Sequence, residues 1–558
     1  MNPHHASRLP AVPLLVLGPV LRYVGETEAT IWVETDAPAT LAVLGTEEAT
    51  FEVAGRHYAL LRLRGLEPGT TTPYELRLDG ERVWPEEGSS FPPPAIRTLE
   101  RSGHVRLLFG SCRVSRPHEP PFTLGPTHHE EGFDRDALYA YALRMREQPP
   151  EEWPHLMFWA GDQVYADELP PDLLDWVRAR RRGGIAGPED EAGTLDEYVA
   201  LYHAAWSEPA IRWFLSTVSN AMIFDDHDVH DDWNTSQAWV EGKKRDDPFW
   251  ASKLEAALGS YWLYQHAGNL APSALERDET FRGLGAGDNW PVLQALARQA
   301  ERGHDGARWS YCRALGTAKL LVMDSRCGRV LDEGARAMLD DAEWKWIESE
   351  AHGDVDHLLL GTSLPFLLAP ALHDLESWNE AVCGGVWGAR AARLSEKLRQ
   401  GMDLEHWAAF DTSFRALAGL VRAIARGERG EPPATIVALS GDVHHAYVAE
   451  VGFPRGTGAR SRVYQAVCSP VRNPLSRKER TGIRGLRTKP AVLVARVLAR
   501  AAGVKAPPIR WRELGGPYFA NQIASLDLHG REATIRLEEA GGGREEEPTL
   551  ACVSERAL

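Results

Sequence analysis

Acidic and imidazole side chains follow directly after several short apolar runs of this chain. In residues 222–228, an apolar run ends in three aspartates and a histidine. Because an isolated buried carboxylate is costly, such a cluster must be solvated, paired or bound to a cation. Taken alone, this stretch is equally consistent with an acidic loop and with a metal site.

The same arrangement recurs along the chain, which favours the metal site. Residues 155–160 end in a Gly-Asp turn, and residues 435–439 end in a stretch with one aspartate and two histidines. Two carboxylates from separate strands, with a third acidic or imidazole group, can hold two ions about 3.5–4 Å apart that clamp the oxygens of a phosphoryl displacement. The predicted ligands are Asp162, Asp226, Asp442 and His444.

Cys112 and Tyr165 are further candidates of lower specificity. Cys112 follows the apolar run at residues 105–109, and Tyr165 lies three residues after Asp162. On the residues alone, ordinary packing in the core is the usual explanation for both. A thiolate and a phenolate together suit trivalent iron better than zinc or magnesium, and a Cys/His nucleophile is a more distant alternative for Cys112.

Strand-like runs alternate with helical patterns from about residue 100 onwards, which indicates an α/β protein. The runs cover residues 105–109, 155–160, 221–224, 318–323, 357–360, 435–439 and 462–467, and the helical patterns cover residues 133–146, 195–202, 247–265, 340–350, 385–400 and 404–424. In such folds the ligand lies beyond the carboxyl ends of the strands, which is where the polar residues of this chain occur.

The N-terminal residues 18–99 are predicted to form an all-β sandwich of the immunoglobulin or fibronectin type. Short alternating strands are separated by turn signals, with strands predicted at residues 29–35, 49–53, 57–64, 74–78 and 81–84. Residues 91–94, Phe-Pro-Pro-Pro, form a stiff linker and the predicted domain boundary.

Charge, cysteine content and hydropathy limit the class of protein. The net charge of −17 over 558 residues disfavours binding to long nucleic acid. The six cysteines have neither disulfide-scaffold nor zinc-finger spacing, which favours a reducing compartment. No run approaches membrane-spanning length, and the N-terminal apolar stretch is interrupted by prolines. We therefore expect a cytoplasmic protein, with secretion not excluded.

Five motifs occur in the order found in one enzyme family. They are Gly-Ser-Cys (110–112), Gly-Asp-Gln-Val-Tyr-Ala-Asp (161–167), Asp-Asp-His-Asp (225–228), Asp-Ser-Arg (324–326) and Gly-Asp-Val-His-His (441–445). Over residues 18–475 the chain resembles the PhoD-like alkaline phosphatases, a branch of the calcineurin-like metallophosphoesterases. The Asp-x-His opening motif of that superfamily is replaced by Gly-Ser-Cys, which supports this branch, and the frequent export signal of the family is missing.

The resemblance implies a fold and a metal content. The fold would be a two-sheet α/β (α+β) sandwich flanked by helices, behind the all-β domain, with a dinuclear or larger metal centre at the strand ends. Fe³⁺ would be held at the positions of Cys112 and Tyr165, with Asp162 near both metal sites. Ca²⁺ is the other typical ion of the family, and other divalent metals are also consistent with these donors.

The resemblance also implies catalytic roles. His227 would donate a proton to the leaving group, and Asp226 would be a ligand that fixes the loop of His227. Arg326 and Arg113 would neutralise phosphate oxygens, because a guanidinium fork suits that task.

We therefore predict a metal-dependent phosphoester hydrolase, in which a metal-bound hydroxide attacks phosphorus at a multinuclear site. The enzymatic alternative is a phosphodiesterase acting on lipid, nucleotide or cell-wall phosphodiesters, and the non-enzymatic alternative is a metal-stabilised protein that binds phosphoryl ligands. The partner would be a small phosphoester substrate, and the sequence does not fix the oligomeric state.

The predicted domains are an N-terminal extension (1–17), the all-β domain (18–99), the catalytic domain (100–475) and a partly helical C-terminal extension with strands and a flexible end (476–558).

Overall fold

The N-terminal module consists of short strands, as its alternating sequence pattern predicts. The computed structural model describes residues 13–301, 307–454, 456–543 and 547–558, so residues 1–12 of the predicted extension lie outside the described residues. The strands of the module are β1 (Leu15–Val24), β2 (Glu28–Thr35), β3 (Thr40–Val43), β4 (Thr46–Ala49), β5 (Phe51–Val53), β6 (Arg56–Arg64), β7 (Thr71–Pro73), β8 (Leu76–Leu78), β9 (Glu81–Trp84) and β10 (Ala95–Arg97). Two four-stranded sheets, β1-β2-β6-β5 and β4-β3-β8-β9, enclose one core, and β10 pairs with β7.

One predicted strand, residues 49–53, is divided between the two sheets of the module. β4 ends at Ala49 and pairs with β3, whereas β5 begins at Phe51 and pairs with β6. Thr50 lies between them, and its N–H donates to the Ala39 carbonyl at 3.0 Å. The chain crosses from one sheet to the other at this residue, which an uninterrupted alternation pattern does not reveal.

The sheet β1-β2-β6-β5 is buried on both faces. Ile31 and Val33 of β2 pack in the core of the module, whereas Trp32 between them packs in the main core of the chain. The Trp32 ring contacts Trp206 and Tyr264 of the following domain. Because a strand directs alternate side chains to opposite faces, β2 serves both cores and fixes the module to the rest of the molecule.

The remaining strands form two larger sheets. They are β11 (Val105–Gly110), β12 (Leu156–Ala160), β13 (Ser219–Ile223), β14 (Tyr311–Leu315), β15 (Ala318–Val322), β16 (His357–Gly361), β17 (Thr435–Ser440), β18 (Ala446–Gly452), β19 (Arg462–Val467), β20 (Arg510–Tyr518), β21 (Gln522–His529), β22 (Glu532–Gly541) and β23 (Thr549–Ala557). The six-stranded sheet has the order β13-β12-β11-β21-β22-β23, and the seven-stranded sheet has the order β14-β15-β16-β17-β19-β18-β20. The segment after residue 476 supplies β20 to β23 and so contributes to both sheets, while residues 544–546 of the stretch expected to be flexible lie outside the described residues.

The strands of the two sheets are arranged as the predicted α/β sandwich requires. In β17, Val437 and Leu439 belong to the main core, whereas Ile436 and Ala438 belong to a second core that contains side chains of the covering helices. β11, β12 and β13 are parallel, as are β15, β16, β17 and β19. Within each sheet, the carboxyl ends of these strands therefore lie at one edge.

Helices connect the strands and cover the sheets. The α-helices are α1 (Ala137–Arg146), α2 (Pro171–Arg182), α3 (Leu195–Trp206), α4 (Pro209–Thr217), α5 (Gln237–Asp246), α6 (Trp250–Tyr261), α7 (Pro272–Leu275), α8 (Glu279–Gly283), α9 (Trp290–Glu301), α10 (Asp341–Glu350), α11 (Pro370–Cys383), α12 (Ala389–Gln400), α13 (Asp411–Arg426), α14 (Arg477–Gly485) and α15 (Lys489–Ala501). Short 3-10 turns occur at Pro150–Glu152, Ala267–Asn269 and Trp407–Ala409, and a π-helical turn occurs at Trp262–His266. In the described part of the chain, no helix combines the length and the apolar character needed to cross a membrane.

Several helices, among them α1 and α13, begin later than their sequence patterns predict. The helix expected over residues 133–146 begins at Ala137, because the Asp136 carboxylate accepts the N–H of Leu138 at 2.9 Å and so caps the helix. The helix expected over residues 404–424 begins at Asp411. The residues before it form a loop that reaches the edge of the sandwich.

Candidate metal centre

The carboxyl ends of the two sheets meet at one edge of the sandwich. A Cβ on Gly441, just after β17, would lie 1.9 Å from the hydroxyl oxygen of Ser111, just after β11. A Cβ on Gly161, just after β12, would lie 2.5 Å from the Cβ of Asp225, just after β13. Only glycine allows approaches this close, so these two residues bring four strand ends together.

Four of the predicted ligands have backbone angles in the left-handed region. The φ angle is 56° at Cys112, 52° at Asp162, 66° at Asp442 and 48° at His444. Non-glycine residues rarely adopt such angles, and they persist where the surrounding structure enforces them, often at functional sites. The sharp turns directly after the strands are therefore part of how the site is built.

Asp162, Asp225 and Asp226 form a compact carboxylate cluster. One oxygen of each residue lies within 4.8 Å of the others, and all three residues are buried. Asp162 Oδ1 and Asp225 Oδ2 have no hydrogen-bond partner. Unpaired buried carboxylate oxygens are costly, and a cation between them would remove that cost. The cluster therefore fits a hard metal ion with oxygen ligands.

Burial and mutual repulsion change the acidity of this cluster. Burial raises the pKa of Asp162 well above its ordinary value, and neighbouring aspartates add to this rise against the opposing charge of His227. Burial likewise raises the pKa of Asp225, against the opposing charge of Arg326. Asp228 holds the backbone of both turns, since its Oδ2 accepts the N–H groups of Asp162 at 3.0 Å and of Asp225 at 2.9 Å.

Arg326 is surrounded by carboxylates. Its guanidinium donates to Asp225 and Glu405, and its Nη2 lies 3.3 Å from an oxygen of Asp226 and 3.3 Å from an oxygen of Asp442. The side chain is fully buried. Burial alone would lower the pKa of Arg326, but the carboxylates raise it well above its ordinary value. This environment differs from the phosphate contact predicted for Arg326, because the guanidinium is occupied by protein carboxylates.

Asp442 is held by a network that the sequence does not reveal. His406 Nε2 lies 3.0 Å from Asp442 Oδ2, and His406 Nδ1 lies 2.7 Å from Glu376 Oε1. Burial would raise the pKa of Asp442, but the hydrogen bond and charge of His406, together with the charge of Arg326, lower it overall. Asp442 is therefore ionised at neutral pH and available as an anionic ligand.

Cys112 and Tyr165 pack against each other beside the carboxylates. The Ser469 hydroxyl donates to the Cys112 sulfur at 3.1 Å. The Tyr165 hydroxyl lies 3.4 Å from Asp162 Oδ2, to which it donates, and accepts from Asn473 Nδ2 at 3.2 Å. Burial raises the pKa of the Cys112 thiol and of the Tyr165 hydroxyl well above their ordinary values. Both groups are therefore protonated without a cation, and a metal ion bound through them would release protons.

His227 is oriented by Asp167. Its Nδ1 lies 2.9 Å and 3.1 Å from the two oxygens of Asp167, which also accepts the N–H of Asp231 at 2.6 Å. Burial alone would lower the pKa of His227, but the charge and hydrogen bond of Asp167, with the charges of Asp226 and Asp162, raise it well above its ordinary value. The imidazole is therefore protonated at neutral pH and can donate a proton from Nε2.

Of the remaining candidate residues, His444 lies at the site, whereas His445 and Arg113 are directed elsewhere. Burial lowers the pKa of His444, so its ring is neutral, which is the form that binds metal ions. His445 is directed away, since its Nε2 lies 3.0 Å from Arg487 Nη2. Arg113 is buried, and its Nε donates to Asp136 Oδ2 at 2.9 Å. In the described part of the chain, neither His445 nor Arg113 contacts the three clustered aspartates.

Several residues of the site carry no role in the sequence-based prediction, among them Asp225, Asp167, Glu405 and His406. Two of them had a usable signal, because Asp225 is the first carboxylate after β13 and Asp167 lies in the quoted motif at residues 161–167. Glu405 and His406 had none, since the sequence pattern includes them in the helix predicted over residues 404–424. They reach the site because that helix begins only at Asp411.

Comparisons with known proteins identify the family and the fold. A family model described as PhoD-like phosphatase matches residues 131–497, and a model of a domain of unknown function, DUF7800, matches residues 12–96. The fold is similar to a solved structure of PhoD, with a TM-score of 0.61 and 12% identity over 99% of this chain and 91% of that chain. A purple acid phosphatase, PPD1, isolated from yellow lupin (Lupinus luteus) seeds, matches with a TM-score of 0.43 and 9% identity over 97% of this chain and 74% of that chain. The comparison with curated proteins gave no match.

Proposed function

Because the chain belongs to the PhoD-like phosphatase family, it is a metal-dependent phosphoester hydrolase, and we propose that the reaction takes place at the aspartate cluster between the two sheets. The observation that carries this proposal is the approach of Asp162, Asp225 and Asp226, with one oxygen of each within 4.8 Å of the others. Like charges are buried together in this way at functional sites, where a ligand offsets their repulsion.

The donor set combines two kinds of ligand. Carboxylates suit a hard ion such as Ca²⁺, whereas a thiolate and a phenolate suit Fe³⁺. Bound ions would act as Lewis acids toward a phosphoryl oxygen and would lower the pKa of water. The residues that we assign to metal binding are Cys112, Asp162, Tyr165, Asp225, Asp226, Asp442 and His444.

We assign proton donation to His227. A phosphoester leaving group departs as an alkoxide unless it is protonated, so a positioned acid lowers the barrier. His227 is charged at neutral pH, and Asp167 fixes its Nδ1, which leaves Nε2 as the atom that can donate. Asp167 is thus a positioning residue for the proton donor.

We assign Arg326 a structural task at the aspartate cluster. Its contacts with Asp225, Asp226 and Asp442 keep three carboxylates at the strand ends in fixed positions. Asp162 Oδ1 and Asp225 Oδ2 have no hydrogen-bond partner beside it, so these oxygens are left for metal ions. The phosphate contacts predicted for Arg326 and Arg113 remain predictions.

Metal content and hydrolysis measured on the same preparation test this proposal. Protein loaded with Fe³⁺ and Ca²⁺ should hydrolyse p-nitrophenyl phosphate or bis-p-nitrophenyl phosphate, and the relative rates will separate a monoesterase from a diesterase. Asp225→Asn should lower the metal content in elemental analysis and reduce kcat/KM by about 10²–10³-fold, because it weakens a ligand whose ion stabilises charge in the transition state.

A matched substitution of an exposed aspartate provides the control. Asp190 lies in the loop before α3, its side chain is 62% exposed and it pairs with Arg178 at the surface. Asp190→Asn should retain both metal and activity. Full activity with full metal content in Asp225→Asn, and also in the double variant Asp162→Ala with His444→Ala, would remove the basis of the proposal.

A further inference from the structure

The C-terminal segment at residues 477–510 differs in charge from the rest of the chain. It contains ten of the 62 Lys and Arg residues but only one of the 79 Asp and Glu residues. The segment forms α14, α15 and the loop that leads to β20. An acidic protein therefore carries a concentrated basic surface, which is the electrostatic requirement for binding an anionic partner.

Helix α15 buries its small side chains and exposes its large ones. Ala495 and Ala499 are 1% and 3% exposed, whereas Leu493, Val494 and Val497 are 65%, 58% and 56% exposed. A helix that only packed on its own protein would bury the aliphatic side chains instead. The contact of α15 with α11 uses the alanine side, so the aliphatic side is left for another surface.

The exposed side chains of α15 are arranged as in a helix that lies at a membrane interface. With about 3.6 residues per turn, Leu493 and Val497 lie above one another, and Val494 lies beside them. Arg496 and Arg500 lie along one margin of this apolar stripe, and both are exposed. A stripe of aliphatic residues bordered by cations is the pattern of helices that lie in the headgroup region of a bilayer.

Further exposed apolar residues lie on the neighbouring segment 386–402. Trp387 is 42% exposed and Val386 is 58% exposed, and the Trp387 indole donates to the Ala501 carbonyl at 3.4 Å. Seven of the eleven exposed large hydrophobic side chains in the described residues lie on α15 or on this segment. Tryptophan beside aliphatic and basic residues is typical of surfaces that meet the membrane interface.

A cavity of about 560 Å³ lies between α11, α15 and the loop before β20. The basic residues that line it are Arg496, Arg500, Lys505 and Arg510, and its one acidic residue is Asp374, which lies 3.5 Å from Arg496. In the described part of the chain, Arg500 and Lys505 form no ion pair. These cations are therefore available to headgroup phosphates next to the apolar stripe.

We propose that this surface, formed by α15, Val386 and Trp387, docks the protein onto an anionic lipid bilayer. A second copy of the chain is a poorer occupant, because a two-fold contact centred on α15 would place Arg496 and Arg500 opposite the same cations. A bilayer supplies both the apolar layer for the aliphatic stripe and the negative charge for its basic margin. The acidic remainder of the protein is repelled by the same surface, which fixes the orientation of the docked molecule.

Co-sedimentation of the full-length protein with vesicles tests the proposal. The protein should bind vesicles of phosphatidylcholine mixed with phosphatidylglycerol but not vesicles of phosphatidylcholine alone, and added salt should release it. Lys489→Gln combined with Arg500→Gln should weaken binding by about 30-fold, since two basic residues leave the anionic surface. Leu493→Asn combined with Val497→Asn should weaken it by at least about tenfold.

Matched substitutions away from α15 serve as controls. Leu44→Asn replaces a 46% exposed apolar residue of the all-β module, and Arg82→Gln replaces a 43% exposed arginine there. Both should bind vesicles as the unmodified protein does, and all variants should hydrolyse a soluble phosphoester at the unmodified rate. Equal binding of all variants, or no binding to anionic vesicles at low salt, would overturn the proposal. A dimer in analytical ultracentrifugation that only the α15 variants dissociate, without vesicle binding, would overturn it in favour of a second copy.

Discussion

The candidate metal centre and the α15 surface both depart from the usual distribution of residues, in opposite ways. At the strand ends, Asp162 and Asp225 bury carboxylate oxygens that have no partner. On α15, Leu493 and Val497 expose aliphatic side chains to solvent. Both arrangements are unfavourable in the isolated protein. Like charges are buried together at the strand ends, and apolar groups are hydrated on α15.

The difference between the two regions lies in how strongly the fold holds them. The aspartate cluster is enclosed by Arg326, Glu405 and two sheets, and several ligand residues have left-handed backbone angles. The side chains of α15 face outwards from a single helix that packs through alanines. Small cations can enter a rigid enclosed site, whereas a bilayer can only be met by a protruding surface. The geometry of each region therefore matches the size of its proposed ligand.

The largest effect should follow from removing the cation that holds the metal centre. Arg326→Gln should destabilise the protein by about 3–5 kcal/mol, because four carboxylates lose their common buried partner. Arg329→Gln is the matched control, since the Arg329 side chain is equally buried but, among the described residues, forms an ion pair with Glu405 alone. Chemical denaturation of the metal-free proteins measures both, and equal losses would show that Arg326 has no special role at the cluster.

The next largest effect concerns the proton donor. Asp167→Asn should reduce kcat by about 10–100-fold, because His227 loses the carboxylate that orients it and keeps it charged. The loss should be greater for phenyl phosphate than for p-nitrophenyl phosphate, whose leaving group needs less protonation. An equal loss for the two substrates would indicate a purely structural role for Asp167.

A smaller effect, which stabilises the protein, is expected from a substitution within the aspartate cluster. Asp162→Asn should stabilise the metal-free protein by about 1–3 kcal/mol, because the fold disfavours the ionised form of this buried carboxylate, whose pKa is raised, and the amide is neutral at nearly constant volume. Thermal unfolding should show the gain without metal and its loss or reversal after metal addition, since the ions stabilise only a protein that binds them. A destabilised metal-free variant would contradict the cost that we infer for burying this carboxylate without a cation.

The smallest effect is expected on α15. Leu493→Asn combined with Val497→Asn should change the free energy of unfolding by no more than about 0.5 kcal/mol, because both side chains are exposed. Ala499→Leu on the opposite side should cost about 1–3 kcal/mol by overpacking against α11. A large loss in the first variant would mean that the aliphatic stripe supports the fold, which would weaken the contrast with the metal centre.

Much of the architecture could be predicted because parallel strands carry local signals. The runs at residues 155–160 and 435–439 correspond closely to β12 and β17, and polar residues follow both at the same edge. The split between β4 and β5 could not be predicted, because the two strands pair with different neighbours, β3 and β6, although no break in the pattern separates them. β18 could not be predicted, because one of its partners, β20, follows only after α14 and α15. Long-range pairing leaves no periodic signal in the segment itself.

The residues of the site could likewise be predicted where the signal is local. They could not be predicted where their position depends on distant parts of the chain. Asp162 and Asp442 could be named because each follows its own strand directly. His406 could not, because its position depends on where α13 begins, and helix starts vary by several residues from any periodic pattern. The enclosure of Arg326 was equally inaccessible, since its carboxylate partners come from three separate loops.

The sequence by itself determined the order of the motifs, the polar strand ends and the basic segment after residue 476, because these are properties of neighbouring residues. Only the tertiary structure decided that Asp225 joins Asp162 and Asp226, that Arg326 binds carboxylates, and that α15 directs its aliphatic side chains outwards. Those outcomes depend on which surfaces pack against each other, and packing free energy is a sum over residues far apart in the chain. Local pattern therefore supplied the candidate donors of the site, and the packing of two sheets decided which of them lie together.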